Sequence, residues 1–172
     1  VFTTKLKDYI WHIGSESLEE IIIQKAKEKN IKFGFAESCT GGLCASLITD
    51  ISGCSSVFWG SIVSYSNEVK MKTLDVAQET LESFGAVSLE TAKEMAIGAQ
   101  KNMNLDIAIT TTGIAGPGGA TKDKPVGTVG IGIATKDKSG SKIHNFNGTR
   151  EELKFRFSQM ALFTLLEQIN EY

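Results

Sequence analysis

Apolar positions recur at helical spacing through Leu18, Ile21, Ile22 and Ala26, just behind Ser17-Leu-Glu-Glu20. That tetrapeptide is a capping box, so the spacing predicts a helix over 17–29. Residues 6–13 read as a short helix before it. Ile31, Phe33 and Phe35 alternate and predict a strand over 31–37. It ends at Glu37-Ser38-Cys39-Thr40-Gly41-Gly42, and a helix follows from Leu43 to Asp50. Residues 57–64 are apolar and rich in strand formers. Asn67 is placed to cap a helix over 68–74. A further helix covers 78–84 and stops at Gly85. Ser88 opens another, with Leu89, Ala92, Met95, Ala96, Ala99 and Met103 on one face. Leu105, Ile107 and Ile109 alternate into a third strand.

Residues 113–125 hold both prolines of the chain and read as a loop. Val129, Ile131 and Ile133 then alternate with Gly130 and Gly132. That strand has a face bare of side chains at its centre, where a backbone or a ligand can come close. Residues 141–147 read as a fifth strand, joined to the fourth by a few polar residues, hence an antiparallel hairpin. Thr149-Arg-Glu-Glu152 is a second capping box. It opens a helix to about 170 whose apolar positions cover more than one stripe, so it is either central or part of a subunit interface. Helices alternate with strands. The expected fold is therefore α/β, a three-layer α/β/α sandwich with a mixed central sheet.

Composition narrows the classes. At 172 residues one domain is expected, with residues 1–14 an extension or short helix. Eighteen Lys and Arg against 20 Asp and Glu give a net charge of −2, which argues against direct nucleic-acid binding. Arg150 and Arg156 are the only arginines, so bidentate anion recognition has few places to reside. No stretch approaches the roughly 20 apolar residues of a membrane span, and the first residues are too polar for a signal-peptide core. Cys39, Cys44 and Cys54 lack paired spacing and read as reduced thiols of a cytoplasmic protein, without a zinc site.

Four segments could carry chemistry. Glu37–Gly42 lies where a strand gives way to a helix, so Ser38 could point its hydroxyl outward beside unpaired backbone N–H groups. Ser38 and Thr40 could equally be turn and cap residues, and Cys39 is a rival nucleophile at the same helix end. In Tyr65-Ser-Asn-Glu-Val-Lys70, a lysine in the first turn of a helix is disfavoured as a cation. An unperturbed lysine is only about 0.04% neutral at pH 7, so a catalytic Lys70 needs such a shift and burial; otherwise it is a solvated lysine. Thr110–Gly119 is a polar strand end running into a glycine loop, either a ligand edge or a structural turn. It lacks the endings of a Walker A loop or a dinucleotide fingerprint. Arg150 sits at a helix start, where a cation is unfavourable, and is better explained by an anionic partner, a ligand or an internal carboxylate. His12 and His144 are weak partners for a Ser–His pair.

Together these segments resemble one family. Ala36-Glu-Ser-Cys-Thr-Gly-Gly42, Tyr65-Ser-Asn-Glu68 with Lys70, Gly85-Ala-Val-Ser88, Thr112-Gly-Ile-Ala-Gly-Pro-Gly-Gly119 and Lys124-Pro-Val-Gly-Thr-Val129 occur in that order. They resemble the C-terminal domain of the competence-damage-inducible CinA family, the nicotinamide mononucleotide amidohydrolases. The resemblance covers about residues 15–170. The family's other, molybdopterin-binding-like module has no counterpart in these motifs, so its ADP-ribose pyrophosphate hydrolysis is not implied.

The resemblance implies hydrolysis of the carboxamide of nicotinamide mononucleotide to nicotinate mononucleotide and ammonia, with no cofactor and no metal. It makes Ser38 the nucleophile and Lys70 its general base. Tyr65 would assist proton transfer or orientation, and Thr112 would contact substrate or nucleophile. Glu37, Thr40, Gly41, Gly42, Asn67, Gly113, Gly116, Gly118 and Arg150 are the expected substrate-binding positions. Among them the N–H groups from Thr40 to Gly42 are the expected oxyanion donors, and the glycine loop with Arg150 the expected anion site. Two other readings stand beside it: a nucleotide-binding module acting with a partner in DNA uptake or repair, and a serine hydrolase of another small amide. A homo-oligomer, by default a dimer, is expected.

Overall fold

The computed structural model describes residues 14–172. The expected helix over 6–13 and His12 lie outside the described residues. Helix α1 spans Leu18–Lys29, strand β1 Phe33–Glu37, helix α2 Leu43–Thr49 and strand β2 Phe58–Val63. Helices α3 (Asn67–Leu74), α4 (Gln78–Phe84) and α5 (Leu89–Asn102) follow. Strands β3 (Ile107–Gly113), β4 (Thr128–Thr135) and β5 (Ser139–Asn145) precede the long helix α6 (Arg150–Glu171). The sheet order is β2-β1-β3-β4-β5. Strand β1 is parallel to both β2 and β3, while β3–β4 and β4–β5 are antiparallel. The sheet is mixed, as the short polar connection after β4 required.

Alternation sorts the strands between two layers. Phe33, Phe35, Ile107, Ile109, Val129 and Ile131 face α1, α2 and α6. Ala36 and Ala108 face the other way, toward Leu74, Leu81, Met95 and Ala99 of α3, α4 and α5. Large residues therefore fill one face and small ones the other, which lets α5 lie close. At Gly132 a Cβ would sit 2.0 Å from the carbonyl oxygen of Ala92 in α5. The bare face of β4 is thus occupied by a helix backbone. The α6 stripe Leu153, Phe157, Ala161, Leu165 and Ile169 is fully buried, so this helix is central to the fold.

Both capping boxes are present, at Ser17 and at Thr149. Several boundaries differ from the sequence reading by a residue or two, and two of them have a clear cause. Ser66, not Asn67, caps α3, its Oγ accepting from Val69 N–H at 3.2 Å; a hydroxyl one residue earlier outcompetes the amide. Strand β5 begins at Ser139, two residues before the predicted start, because its register is set by β4 (Ile133 opposite Gly140) and not by its own apolar pattern.

The chain leaves β1 through α2 to β2 on one side, then crosses by α3–α5 to β3 on the other. The order reverses at β1, so the carboxyl end of β1 is the crevice where open α/β sheets bind ligands. Ser38 is the first residue beyond it.

Candidate active site

Ser38 is anchored by its own N–H, which donates to Thr111 O at 2.9 Å. The chain then turns: Gly41 N–H donates back to Ser38 O at 3.1 Å, with Gly41 and Gly42 at φ +63° and +96°. Those left-handed values favour glycine at both positions.

Lys70 reaches Ser38 from α3. Its side chain is 1% exposed, and its Nζ lies 3.0 Å from Ser38 Oγ, 2.8 Å from Ser64 O and 3.1 Å from Tyr65 O. The two carbonyls can only accept. In the neutral amine they take both N–H groups, and the lone pair is left for the Ser38 hydroxyl. Burial lowers the Lys70 pKa from 10.5 to about 8, against an opposing pull from the Cys39 thiol. The cause is desolvation, the burial that a catalytic Lys70 was expected to need. Ser64 is held by its N–H on Glu37 O at 2.8 Å. Its hydroxyl is buried with no partner among the described residues, so it serves the site through its carbonyl.

Glu37 is fully buried and accepts five hydrogen bonds. Its Oε2 takes Thr40 Oγ1 at 2.7 Å and the N–H groups of Gly42 and Cys44 at 3.0 Å. Its Oε1 takes Ala45 N–H and Ser61 Oγ, both at 3.0 Å. The carboxylate is the cap of α2, which has Gly42 at its N-cap position and no acidic residue in its first turn. This corrects the expectation that Glu37, Thr40 and Gly42 face a ligand. They bind one another, and Thr40 Oγ1 also meets Thr111 Oγ1 at 2.8 Å. The Thr40 hydroxyl and the N–H groups of Gly41 and Gly42 are spent on protein, so those two glycine N–H groups are not open to an oxyanion.

Ser38, Cys39, Tyr65, Lys70, Thr112 and Gly113 line a cavity of about 180 Å³, with Arg150 at its wall. Thr112 donates its hydroxyl to Ala86 O at 2.6 Å, which commits its proton and leaves its oxygen as an acceptor. Tyr65 is an exposed rim residue whose hydroxyl receives Arg150 Nη2 at 3.4 Å. Arg150 Nη1 donates to the Gly116 carbonyl. No internal carboxylate pairs with Arg150 among the described residues, contrary to that alternative; a neutral carbonyl and a phenol hold it. Asn67, Gly41, Gly42, Gly116 and Gly118 lie outside the cavity lining. Asn67 begins α3, Gly116 is a hydrogen-bond acceptor, and Gly118 is exposed loop.

Burial pushes the Cys39 thiol up to about 12, so the expected activation by the helix end is absent. His144 stacks on Phe146 in β5, away from the cavity. Ala86, Val87 and Ala115 line the cavity without having been singled out. The first two belong to Gly85-Ala-Val-Ser88, one of the motifs of the family resemblance, to which no site role was given.

The fold and site define an α/β/α domain with a buried Ser–Lys pair at the switch point of its sheet. The chain belongs to the CinA C-terminal domain family, which matches residues 15–169. It is 49% identical over 167 residues to a putative competence-damage inducible protein of Caldicellulosiruptor saccharolyticus, covering 97% of this chain and 41% of that protein. A CinA-like protein of Kosmotoga olearia is 47% identical over 158 residues, covering 92% and 38%. The chain thus spans about two fifths of the length of these curated relatives. Among solved structures, competence/damage inducible protein CihA from Agrobacterium tumefaciens superposes with TM-score 0.82 at 35% identity, covering 92% of this chain and 99% of that one. A competence-damaged protein (CinA) superfamily protein from Escherichia coli gives TM-score 0.84 at 30% identity, covering 94% and 96%. No helix among the described residues is long and apolar enough to cross a membrane.

Proposed function

We propose that this domain hydrolyses a carboxamide, and that its substrate is nicotinamide mononucleotide. The observation that carries the reading is the Lys70 amine held 3.0 Å from Ser38 Oγ by two carbonyls. Ser38 Oγ attacks the carboxamide carbon while its proton passes to Lys70 Nζ. The tetrahedral intermediate collapses as the C–N bond breaks, and Lys70 returns that proton to the departing nitrogen, which leaves as ammonia. The neutral Lys70 then takes a proton from water as the water oxygen adds to the Ser38 ester. It gives that proton to Ser38 Oγ as the ester bond breaks and the acid product leaves, ionising to the carboxylate. The Thr112 oxygen, its own proton committed to Ala86, suits the NH₂ of the carboxamide as an acceptor.

The cavity is smaller than the roughly 300–1,000 Å³ that encloses a drug-sized ligand. It suits the reacting ring, with the ribose and phosphate over the mouth. There Arg150 keeps donors beyond the two it uses on Gly116 and Tyr65, which suits an anion. The family match supports this domain assignment, while the relatives' names state no reaction.

The test is ammonia release from nicotinamide mononucleotide in EDTA by wild type, Ser38→Ala and Lys70→Ala. Turnover by wild type that both variants lose is expected. Normal turnover by Ser38→Ala overturns the mechanism, and saturable binding by folded wild type without turnover turns the reading to the binding module.

A further inference from the structure

When Ser38 adds to a carbonyl, charge moves onto the carbonyl oxygen, and a donor must stand ready for it. The start of α2 does not supply one from its glycines, since Gly41 N–H is on Ser38 O and Gly42 N–H on Glu37. Ser38 N–H is on Thr111 O. The edge of β3 does.

Successive N–H groups of a strand point to opposite neighbours. Ile114 N–H donates to Thr128 O at 2.8 Å, toward β4. Gly113, one residue earlier, therefore turns its N–H toward β1. The last rung there is Ser38 N–H to Thr111 O, and the next acceptor in a parallel ladder is Ser38 O. That carbonyl accepts Gly41 N–H at 3.1 Å, and no bond from Gly113 N–H reaches it. Gly113 N–H is left without a protein acceptor among the described residues, on the wall of the cavity that holds Ser38 and Lys70. Gly113 is also tightly enclosed. A Cβ there would sit 2.8 Å from Thr128 O and 3.1 Å from Cys39 Sγ, so the position keeps its N–H bare of any side chain.

We infer that the backbone N–H of Gly113 is the oxyanion donor of the site. This rests on the amidase reading above and adds its electrostatic half. As the Ser38 Oγ–carbon bond forms and the proton goes to Lys70, the carbonyl π pair moves onto oxygen, which accepts from Gly113 N–H. Loss of one such donor elsewhere costs about 10²–10³ in kcat.

The chain has two Thr-Gly steps, Thr40-Gly41 and Thr112-Gly113. The 172-residue chain labelled with carbonyl carbon-13 threonine and nitrogen-15 glycine therefore shows two selected amides, and Thr40→Ser assigns them by removing the first. The probe is 3-pyridylboronic acid, whose boron turns tetrahedral on Ser38 Oγ and carries an oxygen where the oxyanion forms. Boron-11 resonance reports the adduct, and Ser38→Ala abolishes it. The expected result is a downfield move of the Gly113 amide proton on adduct formation, with Gly41 little changed. A tetrahedral adduct that leaves Gly113 unmoved overturns the inference, even where nicotinamide mononucleotide is turned over, and so spares the amidase reading. Failure to form any adduct on Ser38 overturns the inference together with Ser38 as nucleophile.

Discussion

Lys70 Nζ meets Ser38 Oγ at 3.0 Å across 32 residues of sequence, and neither partner is free to drift. Ser38 is fixed by the sheet through Thr111, and Lys70 by the carbonyls of Ser64 and Tyr65. Because Glu37 O also holds Ser64 N–H, the strand that carries the nucleophile positions the acceptors of the base.

The first prediction concerns pH. The active form of Lys70 is neutral, and its pKa is about 8. Turnover should rise about tenfold per pH unit below 8 and level off above it. A kcat/KM profile flat from pH 6 to 8 contradicts the base assignment.

The same shift links to stability. The folded pKa lies below the unfolded one, so between about 8 and 10.5 the unfolded chain holds more protons. The cost of burying the lysine is full below pH 8 and is relieved as pH rises to 10.5. Comparing wild type with Lys70→Met isolates this group. The stability difference should move by about 3 kcal/mol in favour of wild type over that window. Denaturant titrations at pH 7 and pH 10.5 measure it, and an unchanged difference contradicts the shift.

Glu37→Ala should destabilise the domain by about 3 kcal/mol or more, since it strands the N–H groups of Gly42, Cys44 and Ala45 and two hydroxyls. A loss under 1 kcal/mol in urea unfolding contradicts the capping role.

Cys39→Ala should keep turnover within a few-fold of wild type. With its thiol pushed up to about 12, Cys39 should also react slowly with iodoacetamide at pH 8. Activity lost with Cys39 alone would move the nucleophile one residue along.

Arg150→Ala should raise KM for the nucleotide by about 10- to 100-fold with a smaller effect on kcat, the worth of a charge-assisted contact to an anion. A KM unchanged from wild type places the phosphate elsewhere.

Much of this was legible in the sequence because local and global signals agree. The capping boxes at Ser17 and Thr149, the alternation of Phe33 with Phe35, and the hairpin after β4 each need only neighbours. The candidate residues Ser38 and Lys70 were nameable from their motifs, but their meeting depends on β2 returning beside β1. What was misread is tertiary. Glu37 precedes a helix that it caps from outside, so its carboxylate competes with a ligand for the very N–H groups that local reasoning offered to an oxyanion. Gly130 and Gly132 showed that something lies close, yet nothing local said it was the backbone of α5. For Arg150 the hidden part was its support, since its Gly116 and Tyr65 partners are 34 and 85 residues away.

The central claim is that Ser38 becomes covalently acylated. Wild-type protein quenched in acid during turnover of nicotinamide mononucleotide, then digested and mapped by mass spectrometry, tests it directly. The account predicts a nicotinate mononucleotide ester on Ser38 of the wild type, trapped by the acid quench and absent from Ser38→Ala. Turnover with the adduct on Cys39, or with an active Ser38→Ala variant, would contradict it.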